Sequence, residues 1–171
     1  MGGAFDIEVS FGRTQKVEVT IDDNLWDIFE AEVKGEWLNL DWDGNCRPSD
    51  ECRIAIVVPL LEEVNIHGAC DLNISGFKGS EFTYKLSGAG DLVMDGEVDK
   101  LDIKISGAGD ADTTDLKAKH VKVSISGAGN AEVYAEKSLR GRVSGVGNLT
   151  YYGDPEDENT SVSGLGKIRK K

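Results

Sequence analysis

The chain has 171 residues, with 31 Asp plus Glu against 19 Lys plus Arg for a formal net charge of −12. That length and a hydrophobic content of 39% support one folded domain and exclude an acidic disordered tail, while the longest apolar run, Ile54 to Leu61, is too short to cross a bilayer. The excess of acid, without clustered Lys and Arg to neutralise phosphates, argues against nucleic acid as a partner.

From the N-terminus, Met1-Gly2-Gly3-Ala4 offers neither a basic n-region nor an apolar h-region, so no export signal is expected within these residues. Phe5-Ile7-Val9, Val17-Val19-Ile21, Leu38-Leu40-Trp42 and Ile54-Ile56-Val58 alternate with polar neighbours, the period of a strand with one buried face. Asp22 to Val33 is expected to hold one helical passage, because Asp23 or Asn24 can cap it, Leu25, Ile28 and Phe29 share a helical face, and Gly35 stands past its end. Cys46 and Cys52 are close enough in sequence for a bridge, but three cysteines, Cys70 included, are too few for a disulfide scaffold and too scattered for a zinc cluster. Residues 1–62 therefore read as irregular coils that cap the remainder of the chain.

From His67 onward the chain repeats. Ser87-Gly88-Ala89-Gly90-Asp91 recurs at Ser106, Ser126, Ser144 and Ser163, at steps of 19, 20, 18 and 19 residues, and a degenerate copy begins at His67. Alignment on this motif sorts the other positions into columns. Ile66, Leu86, Ile105, Ile125, Val143 and Val162 precede it, Val64, Tyr84, Ile103, Val123, Gly141 and Thr160 stand two residues earlier, and Leu72, Leu92, Ala111, Ala131, Leu149 and Ile168 lie just beyond it. Alternation on both sides of the motif predicts strands around an apolar lumen. A βαβ unit needs about thirty residues, more than this repeat offers. The expected fold is all-β, a single-stranded right-handed parallel β-helix with coils of about 19 residues. The chain 1–171 is read as one domain, with regular coils over 63–171.

Twenty-one glycines against three prolines fit this reading, because the paired glycines Gly88 and Gly90, Gly107 and Gly109, Gly127 and Gly129, Gly145 and Gly147, and Gly164 and Gly166 become corners. Such corners are expected to need positive φ and close packing on the next coil, with Ser and Asp or Asn accepting local backbone N–H bonds. The stacked column Asp71, Asp91, Asp110, Asn130, Asn148, ending at Lys167, places carboxylates one coil apart, where they would repel unless a cation or basic ligand intervened. Calcium is the ion that chemistry would suit, although the spacing is not that of a calcium-binding β-roll. Asp41-Trp42-Asp43-Gly44-Asn45 also opens like a calcium loop, but Cys46 and Cys52 stand where an EF-hand needs Gly and Glu. No cofactor is called for.

The sequence resembles the head GIN domain family of autotransporter-adhesin-type proteins of Bacteroidetes-like bacteria. The marks are Phe5-Asp6-Ile7-Glu8-Val9, Gln15 to Val19, Asp22 to Leu25, Glu32 to Gly35, Val57 to Leu60 running into Ile66-His67-Gly68-Ala69, and the repeated SGAGD or SGAGN units. The resemblance spans essentially the whole chain. It departs at His67 and Cys70, where Ser and Gly are usual, and in an insertion from Cys46 to Cys52. It implies a right-handed β-helix, exported or held at the periplasm, outer membrane or cell surface, and it carries no catalytic residues to transfer.

The function expected from all this is a non-enzymatic envelope module that binds a surface glycan or protein through the solenoid surface. A β-helical polysaccharide lyase or hydrolase is the enzyme alternative, with Asp91 and Asp110 or Asp95 and Asp115 as its acid pairs, and a purely structural display domain is the third reading. His67 and His120 stand far apart, and His120 is expected to face outward. Trp26, Trp37 and Trp42 crowd the N-terminal region, as core or as a binding patch.

Overall fold

The computed structural model describes residues 4–43 and 52–171. Its strands are β1 (Ala4–Phe11), β2 (Lys16–Thr20), β3 (Phe29–Lys34), β4 (Trp37–Trp42), β5 (Arg53–Val58), β6 (Glu63–Ile66) and β7 (Ala69–Leu86). They continue with β8 (Leu92–Ile105), β9 (Ala111–Ile125), β10 (Ala131–Val143), β11 (Asn148–Tyr152), β12 (Asp157–Val162) and β13 (Lys167–Lys170). The large sheet runs in the order β13-β11-β10-β9-β8-β7-β1-β5-β2, with β12 on β10 and β6 on β7, and every pairing in it is parallel except β2 on β5. This is a β-solenoid.

The columns read from the sequence become rungs. Leu72 pairs with Leu92 and Leu92 with Ala111, while Tyr84, Ile103 and Val123 pair in succession three residues before the corner. In-register parallel pairing carries each inward residue onto the inward residue of the coil below, so one continuous core fills the lumen from Val9 to Tyr151. Each fully buried aliphatic side chain there stabilises the fold by about 1.5–3 kcal/mol relative to exposure. Gly141 interrupts its column, and Leu149 with Ile168 occupies the space, since a Cβ at Gly141 would lie 2.6 Å from Leu149 Cδ2. Thr113 is the fully buried polar residue among those described, and its hydroxyl donates to the Glu132 carbonyl at 3.2 Å.

The coils of β7 to β10 are each one long bent strand, with register shifts between Ile74 and Phe77, Val93 and Gly96, and Val133 and Tyr134, whereas the next coil is divided into the short β11 and β12. Such shifts bend a strand without ending it.

The helical passage expected over Asp22 to Val33 is absent. A single 3-10 turn spans Asp23–Leu25, Asp22 makes no side-chain cap, and Phe29 already begins β3. Helical spacing holds only as far as Phe29; beyond it Glu30-Ala31-Glu32-Val33 alternates at period two, and β3 pairs with β4 in a separate antiparallel hairpin. Phe29 and Trp42 at the hairpin base pack around Phe5, with Trp42 stacked on Phe5 at 5.2 Å.

Candidate functional site

The motif forms the corner between successive coils, and its glycines answer to contact between coils. A Cβ at Gly88 would meet the Gly68 carbonyl, one at Gly107 the Gly88 carbonyl, one at Gly127 the Gly107 carbonyl, and the pattern continues through Gly145 and Gly164, each under 3.0 Å. Gly109, Gly129, Gly147 and Gly166 meet the carbonyl of the second glycine below them in the same way. The approach is close because the corners hydrogen-bond to one another: the Ala108 N–H donates to the Gly88 carbonyl at 3.0 Å and the Ala128 N–H to the Gly107 carbonyl at 3.0 Å. Positive φ is a minor requirement, since of the ten motif glycines only Gly90 has one, at 132°.

The polar residues of the corner also act between coils and not locally. The Ser87 and Ser106 hydroxyls donate to the Ile66 and Leu86 carbonyls, each at 3.2 Å. Asp71 Oδ1 accepts the Asp91 backbone N–H at 3.0 Å, Asp91 Oδ1 accepts that of Asp110 at 2.8 Å, and Asp110 Oδ1 accepts that of Asn130 at 2.8 Å. Asn130 Oδ1 then accepts the Asn148 N–H at 3.1 Å. The stacked carboxylates are thus held by backbone donors, which offset the repulsion expected between them. Among the described residues no three His, Cys, Asp or Glu side chains converge to hold a metal ion.

A concave site lies elsewhere, on the outer face of β7 to β10. It is an open groove of about 390 Å³ lined by Lys78, Gly79, Glu97, Val98, Asp99, Lys117, Lys119 and Glu136. Lys78 pairs with Glu97 and Glu97 with Lys117 in the strand register, so charge alternates up the face. Next to this column Lys119 Nζ lies 2.6 Å from Asp99 Oδ1. That bond holds the Asp99 carboxyl below its ordinary range and raises the Lys119 ammonium above its own. Three cations and three carboxylates line one groove, with donors and acceptors in equal measure and no net charge. Part of the column was readable in the sequence, because Lys78, Glu97 and Lys117 succeed one another at 19 and 20 residues, the coil period; Lys117 then pairs with Tyr134, and Glu136 follows Ala135, the partner of Ala118, so it stands outside the column.

The other sequence candidates are scattered. Asp91 and Asp110 belong to the corner ladder, Asp95 Oδ1 accepts the Gly76 N–H at 2.9 Å, and Asp115 is exposed. His67 and His120 are both exposed and pair with Ser87 and Ser138 of the next coil, at 2.9 and 2.8 Å. Trp42 is buried, whereas Trp26 and Trp37 are 49% and 47% exposed. Asp41 accepts the Trp42 backbone N–H at 2.8 Å; Gly44, Asn45 and Cys46, and with Cys46 any bridge to Cys52, lie outside the described residues. Burial drives the Cys70 thiol up to about 12, with Asp71 and Asp6 adding to the effect.

A family model described as "Putative auto-transporter adhesin, head GIN domain" matches residues 1–155. The chain belongs to this head GIN domain family. Among solved structures, a "putative adhesin" from Bacteroides fragilis superimposes with a TM-score of 0.79 at 21% identity, covering 99% of this chain and 90% of that one. Another "putative adhesin", from Parabacteroides distasonis, gives 0.55 at 20% identity, over 100% of this chain and 90% of its own. Both likenesses concern the fold. No curated protein matches the chain. The head GIN domain match includes the corners up to Ser144–Asn148 and all four strands of the charged groove; it ends between β11 and β12, so β12 and β13 lie beyond it.

Proposed function

We propose that this head GIN domain chain is a non-enzymatic adhesion module of the cell envelope, and that the groove on β7 to β10 binds a neutral, hydroxyl-rich glycan. Membership in an adhesin-type family supports an exported or surface-associated location. One observation carries the choice of ligand: Lys78, Lys117 and Lys119 balance Glu97, Asp99 and Glu136 in one open groove. A phosphate-rich or strongly acidic ligand would meet as many carboxylates as ammonium groups. A sugar's hydroxyls, each both donor and acceptor, can be satisfied by both. The buried floor at Val98 and the parallel backbone beneath fix the spacing at which these side chains leave the sheet.

The test is a glycan array probed with the 171-residue chain, then titration of a neutral hit against the Lys117→Ala/Lys119→Ala double variant. Binding to neutral glycans that weakens about tenfold or more in the variant, which is about 1.4 kcal/mol, is the expected result. Absence of any glycan hit, or a hit indifferent to both lysines, would overturn the assignment.

A further inference from the structure

The face that follows the groove around the coil carries the opposite sign to the chain as a whole. It is built from the C-terminal part of each long strand, where Leu101, Ile103 and Ile105 of β8 point into the core and the residues between them point out. Parallel register stacks Lys100, His120 and Ser138 in one outward column, Asp102, Lys122 and Arg140 in a second, and Lys104, Ser124 and Arg142 in a third. On β8 to β10 this strip sets Lys100, Lys104, Lys122, Arg140 and Arg142 against the single carboxylate of Asp102, in a chain of net charge −12. No stretch of the sequence clusters these cations; the stacking of coils does.

The lysines of the strip have partners. Lys104 and Lys122 share Asp102 Oδ2, at 3.4 and 3.0 Å, and Lys100 reaches Glu81 of β7 at 3.8 Å. Pairs between lysines this exposed contribute little and yield to an incoming anion. Arg140 and Arg142 are exposed and have no ion pair or side-chain hydrogen bond among the described residues. Two residues apart on one strand, they leave the sheet about 7 Å from each other, and Lys122 stands one rung from Arg140, about 5 Å away. On their other side β12 sets Asn159 beside Arg140 and Ser161 beside Arg142. Of the nearby acids of β12, Glu158 is taken up by the Tyr151 hydroxyl at 2.7 Å, and Asp157 stands beside Ser138 at the margin of the strip.

We propose that this strip binds an acidic polysaccharide, one whose carboxylates or sulfates are spaced along a hydroxyl-rich chain. The two guanidinium forks can each donate paired hydrogen bonds to such an oxyanion. Ser124, Ser138, Asn159 and Ser161 lie among the cations and suit the sugar hydroxyls between the charges. Other polyanions fit less well. The outward positions hold no Phe, Tyr or Trp on which an unpaired base could stack, and no apolar side chain to enter a bilayer. A nucleic-acid duplex carries one charge per about 1.7 Å, a density that these cations on three rungs, bounded by Glu81 and Asp157, do not match. The strip is separate from the groove, where cations and carboxylates balance, and the inference stands whether or not the groove takes a neutral glycan.

Binding of the 171-residue chain to immobilised oligogalacturonate and to dextran sulfate, with unmodified dextran as the neutral control and at about 50 and 500 mM salt, tests this. The expected result is binding to at least one acidic chain, carboxylated or sulfated, that weakens about tenfold or more at high salt and about tenfold or more in Arg140→Ala/Arg142→Ala. The groove variant Lys117→Ala/Lys119→Ala should bind the acidic chain as the parent does, and loss of the two arginines should leave any binding to unmodified dextran unchanged. Circular dichroism checks that both variants keep the fold, to which the arginine side chains contribute no ion pair or hydrogen bond. No binding to either acidic chain, binding indifferent to the arginines, or tighter binding to duplex DNA or phosphatidylglycerol vesicles than to either polysaccharide would overturn the proposal.

Discussion

Asp110 Oδ1 accepts two hydrogen bonds from Asn130 one coil on, from the backbone N–H and from Nδ2, each at 2.8 Å. What the pair needs from residue 110 is an acceptor and not a charge, and Asn130 plays the same part toward Asn148 with an amide oxygen. Asp110→Asn should therefore leave stability within about 0.5 kcal/mol, while Asp110→Ala should lose about 1–2 kcal/mol. Urea unfolding curves of the three proteins check this, and equal loss in both variants would mean that charge, not acceptance, matters at the corner.

Two glycines of the same column should respond in opposite ways to the same change. A Cβ at Gly68 meets nothing within 4 Å, whereas at Gly88 it would meet the Gly68 carbonyl that binds the Ala89 N–H at 2.9 Å. Gly68→Ala is expected to shift stability by no more than about 0.5 kcal/mol. Gly88→Ala should cost about 3 kcal/mol, because backbone rather than a mobile side chain must give way. Thermal melts of the two variants side by side provide the measurement.

The buried acids of the core make the protein sensitive to base. Burial raises the Cys70 thiol from 9.0 to about 12, and burial together with the Glu158 hydrogen bond raises the Tyr151 hydroxyl from 10.0 to about 12. Tyr84 is raised as well, chiefly by burial. Raised groups keep their protons in the folded state after the unfolded chain has released them, so the stability they contribute is full below about pH 9 and is lost as pH climbs toward 12. Tyrosinate absorbance should thus rise in step with loss of the far-ultraviolet strand signal. Independent, gradual titration of these groups in a protein still folded would contradict the burial argument.

Tyr84 is fully buried, yet its hydroxyl has no hydrogen-bond partner among the described residues. Removing an unpaired buried hydroxyl relieves its desolvation without opening a large cavity. Tyr84→Phe should raise the urea midpoint by the equivalent of about 1 kcal/mol, and a lowered midpoint would show that the hydroxyl is satisfied in solution.

The regular coils were legible because the chain states the same solution several times. Ile103, Val123 and their neighbours in each column recur at the coil period, so one alignment exposed the lumen, the corners and the parallel register. Where a feature occurs once, local spacing misled: Leu25, Ile28 and Phe29 satisfy a helix, and only pairing with Trp37–Trp42 makes Phe29–Lys34 a strand. The groove was in the same columns but carried charged residues, and an alternating Lys and Glu series reads as an ordinary solvated face until the bend of the coils makes it concave. The corner hydrogen bonds were expected to be local, whereas they run between coils, because the bond from the Asp110 N–H to Asp91 Oδ1 joins residues distant along the chain and adjacent only in the stack.

The ladder of carbonyls and carboxylates that links corner to corner also fixes how the molecule answers to load. Its hydrogen bonds point along the stack, so tension applied between the first and last coils pulls on the interfaces in series, and the weakest, at the β13 end, yields first. Each released coil of about 19 residues would add about 60 Å of contour, the reach of an extended chain less the rise it occupied. A tether built this way lengthens in equal steps under a nearly constant pull, and single-molecule stretching would record a sawtooth of that spacing, against one abrupt rupture for a fold that resists as a unit.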